Sequence, residues 1–143
     1  MFLLTPEFQE NLQAIQRLGF SFQTKPQDIM DDVSDVKKCL KDWTFNIDFP
    51  EDPLESDWEF TRNIGDGFLI KVWFDCPKRL NVHIASETDI YNPIGIRWIW
   101  SWKADEPCCY ATKEPGYDSL SESCKTWLNE VNGIFRGIDV REF

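Results

Sequence analysis

The sequence predicts an α+β fold: a four-stranded antiparallel β-meander with two N-terminal helices and one C-terminal helix packed on one face. Towards both ends, apolar residues recur every three or four positions, the period of one helix face. Between those stretches the period drops to two, as in half-buried strands. No helical stretch separates the strands, so crossover connections are excluded and the pairing is antiparallel. The 143 residues fit a single domain, 1–143. A chain of that length buries about two-thirds of its unfolded surface and needs no disulfide to fold.

The first helix is predicted from Pro6 to Leu18, with the stripe Phe8, Leu12, Ile15 and Leu18. Thr5 suits the N-cap, Pro6 the first helical position and Glu7 the positive end of the dipole, and Gly19 is read as the stop. The second spans Pro26 to Trp43, with Thr24 and Gln27 at capping-box spacing and the stripe Ile29, Met30, Val33, Val36, Leu40, Trp43. The third runs from Leu120 to Phe135, with Ser119 and Glu122 as its capping box and a wide apolar face of Leu120, Cys124, Trp127, Leu128, Val131, Ile134 and Phe135.

Four alternating runs supply the strands. Trp58, Phe60 and Arg62 share one face, as do Phe68, Ile70, Val72 and Phe74, then Leu80, Val82 and Ile84, then Ile96, Trp98, Trp100 and Trp102. Asn63–Gly67 and Cys76–Lys78 read as short links, and Ser86–Gly95 as a longer one. Asn46–Asp57 and Ala104–Tyr117 read as long loops, a length that is often functional. The helices cover the apolar face, where the tryptophan stripe belongs, and Trp73 and Ile99 fall on the opposite, mixed face, where exposed aromatic and aliphatic side chains mark a contact surface.

Charge is unevenly placed. The chain is net −10, and residues 28–59 hold eleven acids against Lys37, Lys38 and Lys41, net −8. Asp28, Asp31, Asp32 and Asp35 crowd the start of the second helix and the lysines its end, which complements the helix dipole. Asp48, Glu51, Asp52, Glu55 and Asp57 lie in the loop beyond and have no helix to serve. Such a surface repels nucleic acid and anionic lipid and attracts a basic partner. The bases Arg62, Lys71, Lys78, Arg79, Arg97 and Lys103 are scattered, which argues against nucleic-acid contact.

Chemistry-bearing motifs are sparse. His83 is the single histidine, on the mixed face of a strand, and is read as structural or solvent-facing. Cys76 with His83 would make a thiol and base, but Cys76 precedes Pro77 in a tight link with no family signature around it. The loop acids lack the turn of a calcium loop, and Gly65-Asp66-Gly67 lacks the spacing of a phosphate loop. No cofactor and no metal follow from these patterns. Five cysteines with no two-residue pair point to free thiols and a reducing, cytoplasmic compartment. Cys39 and Cys124 fall on apolar stripes and are read as buried, and Cys108 and Cys109 as the exposed pair. No apolar run is long enough for a membrane span, and Met1-Phe2-Leu3-Leu4 lacks the basic flank of a signal peptide.

These features suit a small acidic inhibitor that neutralises a basic partner, a toxin or a nucleic-acid-handling protein, acting as monomer or homodimer. Its partner surface is expected at Asp31, Asp32, Asp35, Asp48, Glu51, Asp52, Glu55 and Asp57, joined by Trp73 and Ile99. Bacterial immunity proteins and phage anti-defence proteins are similar in size and acidity. Asp57-Trp58-Glu59 followed by Gly67-Phe68-Leu69-Ile70-Lys71-Val72 resembles the strand pair of one immunity-protein family, over less than a fifth of the chain. The class is read from charge. The alternatives are a small hydrolase or metal-dependent enzyme using His83, Cys76 or the acidic loop, and a scaffold subunit that dimerises through Trp73 and Ile99.

Overall fold

A computed structural model describes residues 2–24, 29–47, 58–75, 79–101, 109–135 and 140–141. Among them are three α-helices: α1 (Pro6–Thr24), α2 (Ile29–Cys39) and α3 (Glu122–Ile134). The strands are β1 (Thr44–Ile47), β2 (Trp58–Gly65), β3 (Phe68–Asp75), β4 (Arg79–Ser86), β5 (Asp89–Ser101), β6 (Cys109–Lys113) and β7 (Val140–Arg141). They form one sheet in chain order, antiparallel from β1 to β6. The α+β class and the antiparallel meander are as the sequence predicts; the strand count is not. The two-residue β7 pairs parallel to β6 at one edge.

The strands absent from the four-strand reading are short. β1 and β6 lie inside or beside segments read as loops, and their alternation involves only one or two strongly apolar residues each. Pairing with a neighbour, rather than their own pattern, makes them strands. The link read at Ser86–Gly95 is also corrected: Glu87 and Thr88 form the turn, and β5 begins at Asp89.

The inner face is built as the two-residue register requires. Phe60, Ile70, Val72, Val82, Trp98 and Trp100 are all fully buried in one core with Phe8, Leu12, Ile15, Leu18, Leu128 and Val131. Phe135 meets both Trp98 and Trp100 edge-on, with ring centroids 5.3 Å apart in each case. The Trp98 indole N–H donates to Asn132 Oδ1 (2.8 Å) and the Trp127 indole to the Leu3 carbonyl (2.7 Å), so these two rings enter the core with their polar edge satisfied. Helices α1 and α3 lie against β5, and α2 packs chiefly on α1. The buried Asn11 of α1 fixes that last contact: it donates to the Cys39 carbonyl and accepts from the Trp43 indole, each at 3.1 Å.

Helix boundaries differ from the sequence reading in physical detail. Gly19 does not end α1; the helix continues to Thr24, and the glycine sits where the helix touches Trp100. α2 ends at Cys39, because Leu40–Asp42 turn the chain and the Trp43 N–H bonds the Leu40 carbonyl (2.9 Å). Its predicted start at Pro26, with the Gln27 cap partner and Asp28, lies outside the described residues. α3 is capped by Ser121, whose hydroxyl accepts from the Cys124 N–H, rather than by Ser119, which closes a 3₁₀ turn at Tyr117–Ser119.

Candidate functional site

The outer face of the sheet is not the solvated surface the sequence suggests. Its two central rows run across the strands in register. One is Thr61, Lys71, His83, Arg97 and Thr112; the next is Glu59, Trp73, Asn81, Ile99 and Tyr110. Lys71, His83 and Asn81 are buried, and Ile99 is 0% exposed. The expectation of an exposed Ile99 is therefore corrected, and Trp73 is half-buried. Inner-face helices alone do not decide exposure, because the outer face is covered as well.

Part of that cover comes from β5 itself. The single step from His83 to Ile84 on β4 faces Arg97 to Ile94 on β5, and the step from Ile84 to Ser86 faces Ile94 to Asp89. The surplus residues bulge, and bulges re-aim side chains next to sites. Gly95 makes the bend: its φ of +77° is a conformation other residues adopt at a cost, and a Cβ there would stand 2.6 Å from Leu128. Asn92 hydrogen-bonds Asp89 at the foot of the bulge. Tyr91, 77% exposed, thereby reaches over Lys71, whose Nζ lies 4.7 Å from its ring centroid and 5.6 Å from that of Trp73.

Beneath Tyr91 and Pro93 lies a cavity of about 380 Å³, lined also by Asn46, Trp58, Glu59, Lys71, Trp73, His83 and Arg97. Its electrostatics are set by the row of three. Directly opposed residues in a sheet stand about 5 Å apart at Cβ, where like charges repel. His83 lies between two cations, so it is the group that gives up its proton. Burial, then Lys71, then Arg97 lower its pKa to about 4, and the weak approach of the Ile90 backbone, short of a formed hydrogen bond, works the other way. At neutral pH His83 is an uncharged imidazole, 3% exposed, with no protein hydrogen bond at either ring nitrogen.

The nearby carboxylates are committed to the cations. Glu59 Oε2 pairs with Lys71 Nζ at 3.1 Å. Glu114 Oε1 faces Arg97 Nε at 3.5 Å, an ion pair without a hydrogen bond. Burial raises the Glu114 pKa, and Arg97 opposes that rise. A catalytic imidazole is usually oriented by a carboxylate; His83 has cations in that place. The same cations repel a metal ion, and among the described residues no three His, Cys, Asp or Glu side chains converge.

The acids expected to form a partner surface are described only in part. Asp35 is exposed on α2; Asp31 and Asp32 lie on the same helix, their side chains undescribed. Asp48, Glu51, Asp52, Glu55 and Asp57 fall outside the described residues, as do Cys76 and Cys108. Among the described cysteines Cys39, Cys109 and Cys124 are in no disulfide, and Cys39 is exposed where the stripe predicts burial, because its helix ends there. Cys109 is half-buried in β6, opposite Trp100. Among the described residues no helix is long and apolar enough to cross a membrane.

Set against protein-family models, curated proteins and solved structures, the chain matches none of them.

Proposed function

We propose that this chain is an acidic binding protein that neutralises a basic partner protein, in the manner of an immunity-type or anti-defence inhibitor. The supporting observation is how the fold sorts charge. Ten described acids are exposed: Glu7, Glu10, Asp35, Asp42, Asp66, Glu87, Asp89, Asp118, Glu122 and Glu130. Only four described bases are: Arg17, Lys37, Lys38 and Lys41. Arg62, Lys71, Arg79, Arg97, Lys113 and Lys125 are half-buried or buried. Withdrawing positive charge leaves the outside more acidic than a net charge of −10 alone implies. Such a surface steers a positively charged partner and speeds its association.

The test is capture with the full-length protein from its native host at low salt, followed by a salt gradient and identification of what elutes. A retained protein with a strongly basic binding face, released as salt rises and losing its own activity on binding, is the expected outcome. A partner that is acidic, or whose binding is indifferent to salt, sinks the reading.

A further inference from the structure

We propose that the cavity over Lys71, His83 and Arg97 is a binding site for a small organic acid, with a carboxylate carried on a flat apolar body. The proposal stands independently of the partner reading, because it concerns the outer sheet face and an anion rather than the acidic surface and a cation.

The first observation is His83. It lines the cavity, is almost wholly buried, and neither ring nitrogen has a formed protein hydrogen bond, the Ile90 backbone being the one group that approaches it. Leaving a buried polar group unsatisfied costs about 1–3 kcal/mol, and folded proteins carry few such groups. A carboxylate oxygen accepts from the one N–H of the neutral imidazole and satisfies that donor.

The second is the arrangement of charge. The cations that drive a proton off His83 create the field that favours an anion beside it. They are not equivalent. Lys71 is held by Glu59 and lies near two rings, so its charge is already answered. Arg97 meets Glu114 only at 3.5 Å, and the facing Nε and Oε1 are both buried without a hydrogen bond. Its planar guanidinium matches a carboxylate in two-point geometry. Glu59, which lines the cavity beside Lys71, repels an acid group at that end. The ligand carboxylate is thereby directed to His83 and Arg97.

The third is size and wall chemistry. About 380 Å³ lies at the low end of small-molecule sites, roughly 300–1,000 Å³, and far exceeds the ~30 Å³ of a single water. Trp73, Tyr91 and Pro93 offer flat surfaces to an apolar body. A bare inorganic anion leaves those walls unused.

Binding must alter the titration of His83. The charged or titratable groups around it are Lys71 from β3, Arg97 from β5, Glu59 from β2, the Tyr91 phenol from the bulge, and Glu114 behind Arg97. Adding an anion among them favours the imidazolium, so His83 protonates at a higher pH in the complex than in the free protein.

The experiment uses the full-length protein and 1-naphthoate, with 1-naphthamide as the neutral counterpart and acetate and inorganic phosphate as small anions. The readouts are calorimetric affinity and the ring NMR signals of the chain's one histidine. Naphthoate should shift those signals saturably, bind at least about tenfold more tightly than naphthamide, and raise the His83 midpoint from its value of about 4. Arg97→Gln should weaken naphthoate at least about tenfold. Tyr91→Ala alters an exposed ring and spares the core; it should weaken naphthoate about threefold or more and leave acetate unchanged. No saturable shift with naphthoate at about 10 mM overturns the proposal. So does equal binding of naphthamide. Phosphate or acetate binding as tightly as naphthoate means an adventitious ion only, which also overturns it. If Arg97→Gln does not fold, the naphthoate–naphthamide ratio and Tyr91→Ala still decide.

Discussion

Gly19 of α1 lies directly on the indole of Trp100: a Cβ built at Gly19 would stand 2.5 Å from two of its ring carbons. No real Cβ approaches that closely, so the helix and the sheet meet at a distance that only a hydrogen side chain allows. Trp100 is itself fully buried and edge-on to Phe135, so the ring has little room to retreat.

Gly19→Ala should therefore destabilise, against the trend of helix propensity. Alanine gains roughly 0.8–1 kcal/mol in a helix interior, while overpacking a rigid ring costs about 1–3 kcal/mol. Trp100→Ala alone should cost about 3–5 kcal/mol. In the double variant the alanine at 19 should be neutral or favourable, because the clash is gone. Denaturant melts of the four proteins measure this cycle; additive effects would show that the two residues do not meet.

His83 makes a pH prediction. Its pKa is about 4 folded against 6.5 unfolded, so between these values the unfolded chain binds the extra proton. Stability is then lost as pH falls from about 6.5 towards 4, and the penalty reaches about 3 kcal/mol at and below the lower value. Glu114, whose pKa is raised, works the other way: above its ordinary value of 4.5 it costs stability as pH rises through its folded pKa. The difference between wild type and His83→Asn isolates the histidine. Parallel stability curves for the two proteins from pH 7 to 4 would show that His83 is not held neutral.

The described thiols should react in a fixed order. Cys39 is exposed, Cys109 half-buried, and Cys124 buried with its pKa raised by burial and by Asp66. Brief alkylation of the native protein with iodoacetamide, mapped by peptide mass spectrometry, should label Cys39 first and Cys124 last. Labelling of Cys124 at the rate of Cys39 would contradict the packing of α3.

With a partner in hand, Glu51, Asp52 and Glu55 changed together to Gln or Asn should slow association and leave the melting temperature nearly unchanged. The wild-type rate should fall as salt rises, since the Debye length shrinks from about 10 Å at 0.1 M to about 3 Å at 1 M. Stopped-flow rates for both proteins at the two salt concentrations give the answer. Identical, salt-independent rates would reduce these acids to a solvated surface.

The sequence carries the core clearly and the cavity hardly at all, for one physical reason. Phe60, Val72, Val82, Trp98 and Trp100 share a face because alternation is local, and a burial pattern of period two is legible within one strand. Lys71, His83 and Arg97 come together only through register across three strands, and the β5 bulge that sets the last pairing is invisible to a pattern of alternation. Asn92-Pro93 and Gly95 mark the irregularity, but they read equally well as a loop. The burial of Ile99 is hidden for a related reason: a strand's own sequence does not say whether its second face is roofed.

Every strand from β1 to β6 pairs with its neighbour in the chain, and this gives the molecule a timetable for folding. Hairpins close short loops and lose little chain entropy. The seating of α1 on β5 joins segments some eighty residues apart and gains nothing until Trp100 is in place. The sheet should thereby be ready before its first helix lands. The strain of Gly19→Ala should accordingly appear as faster unfolding with a nearly unchanged folding rate, in a chevron that shifts on one arm alone.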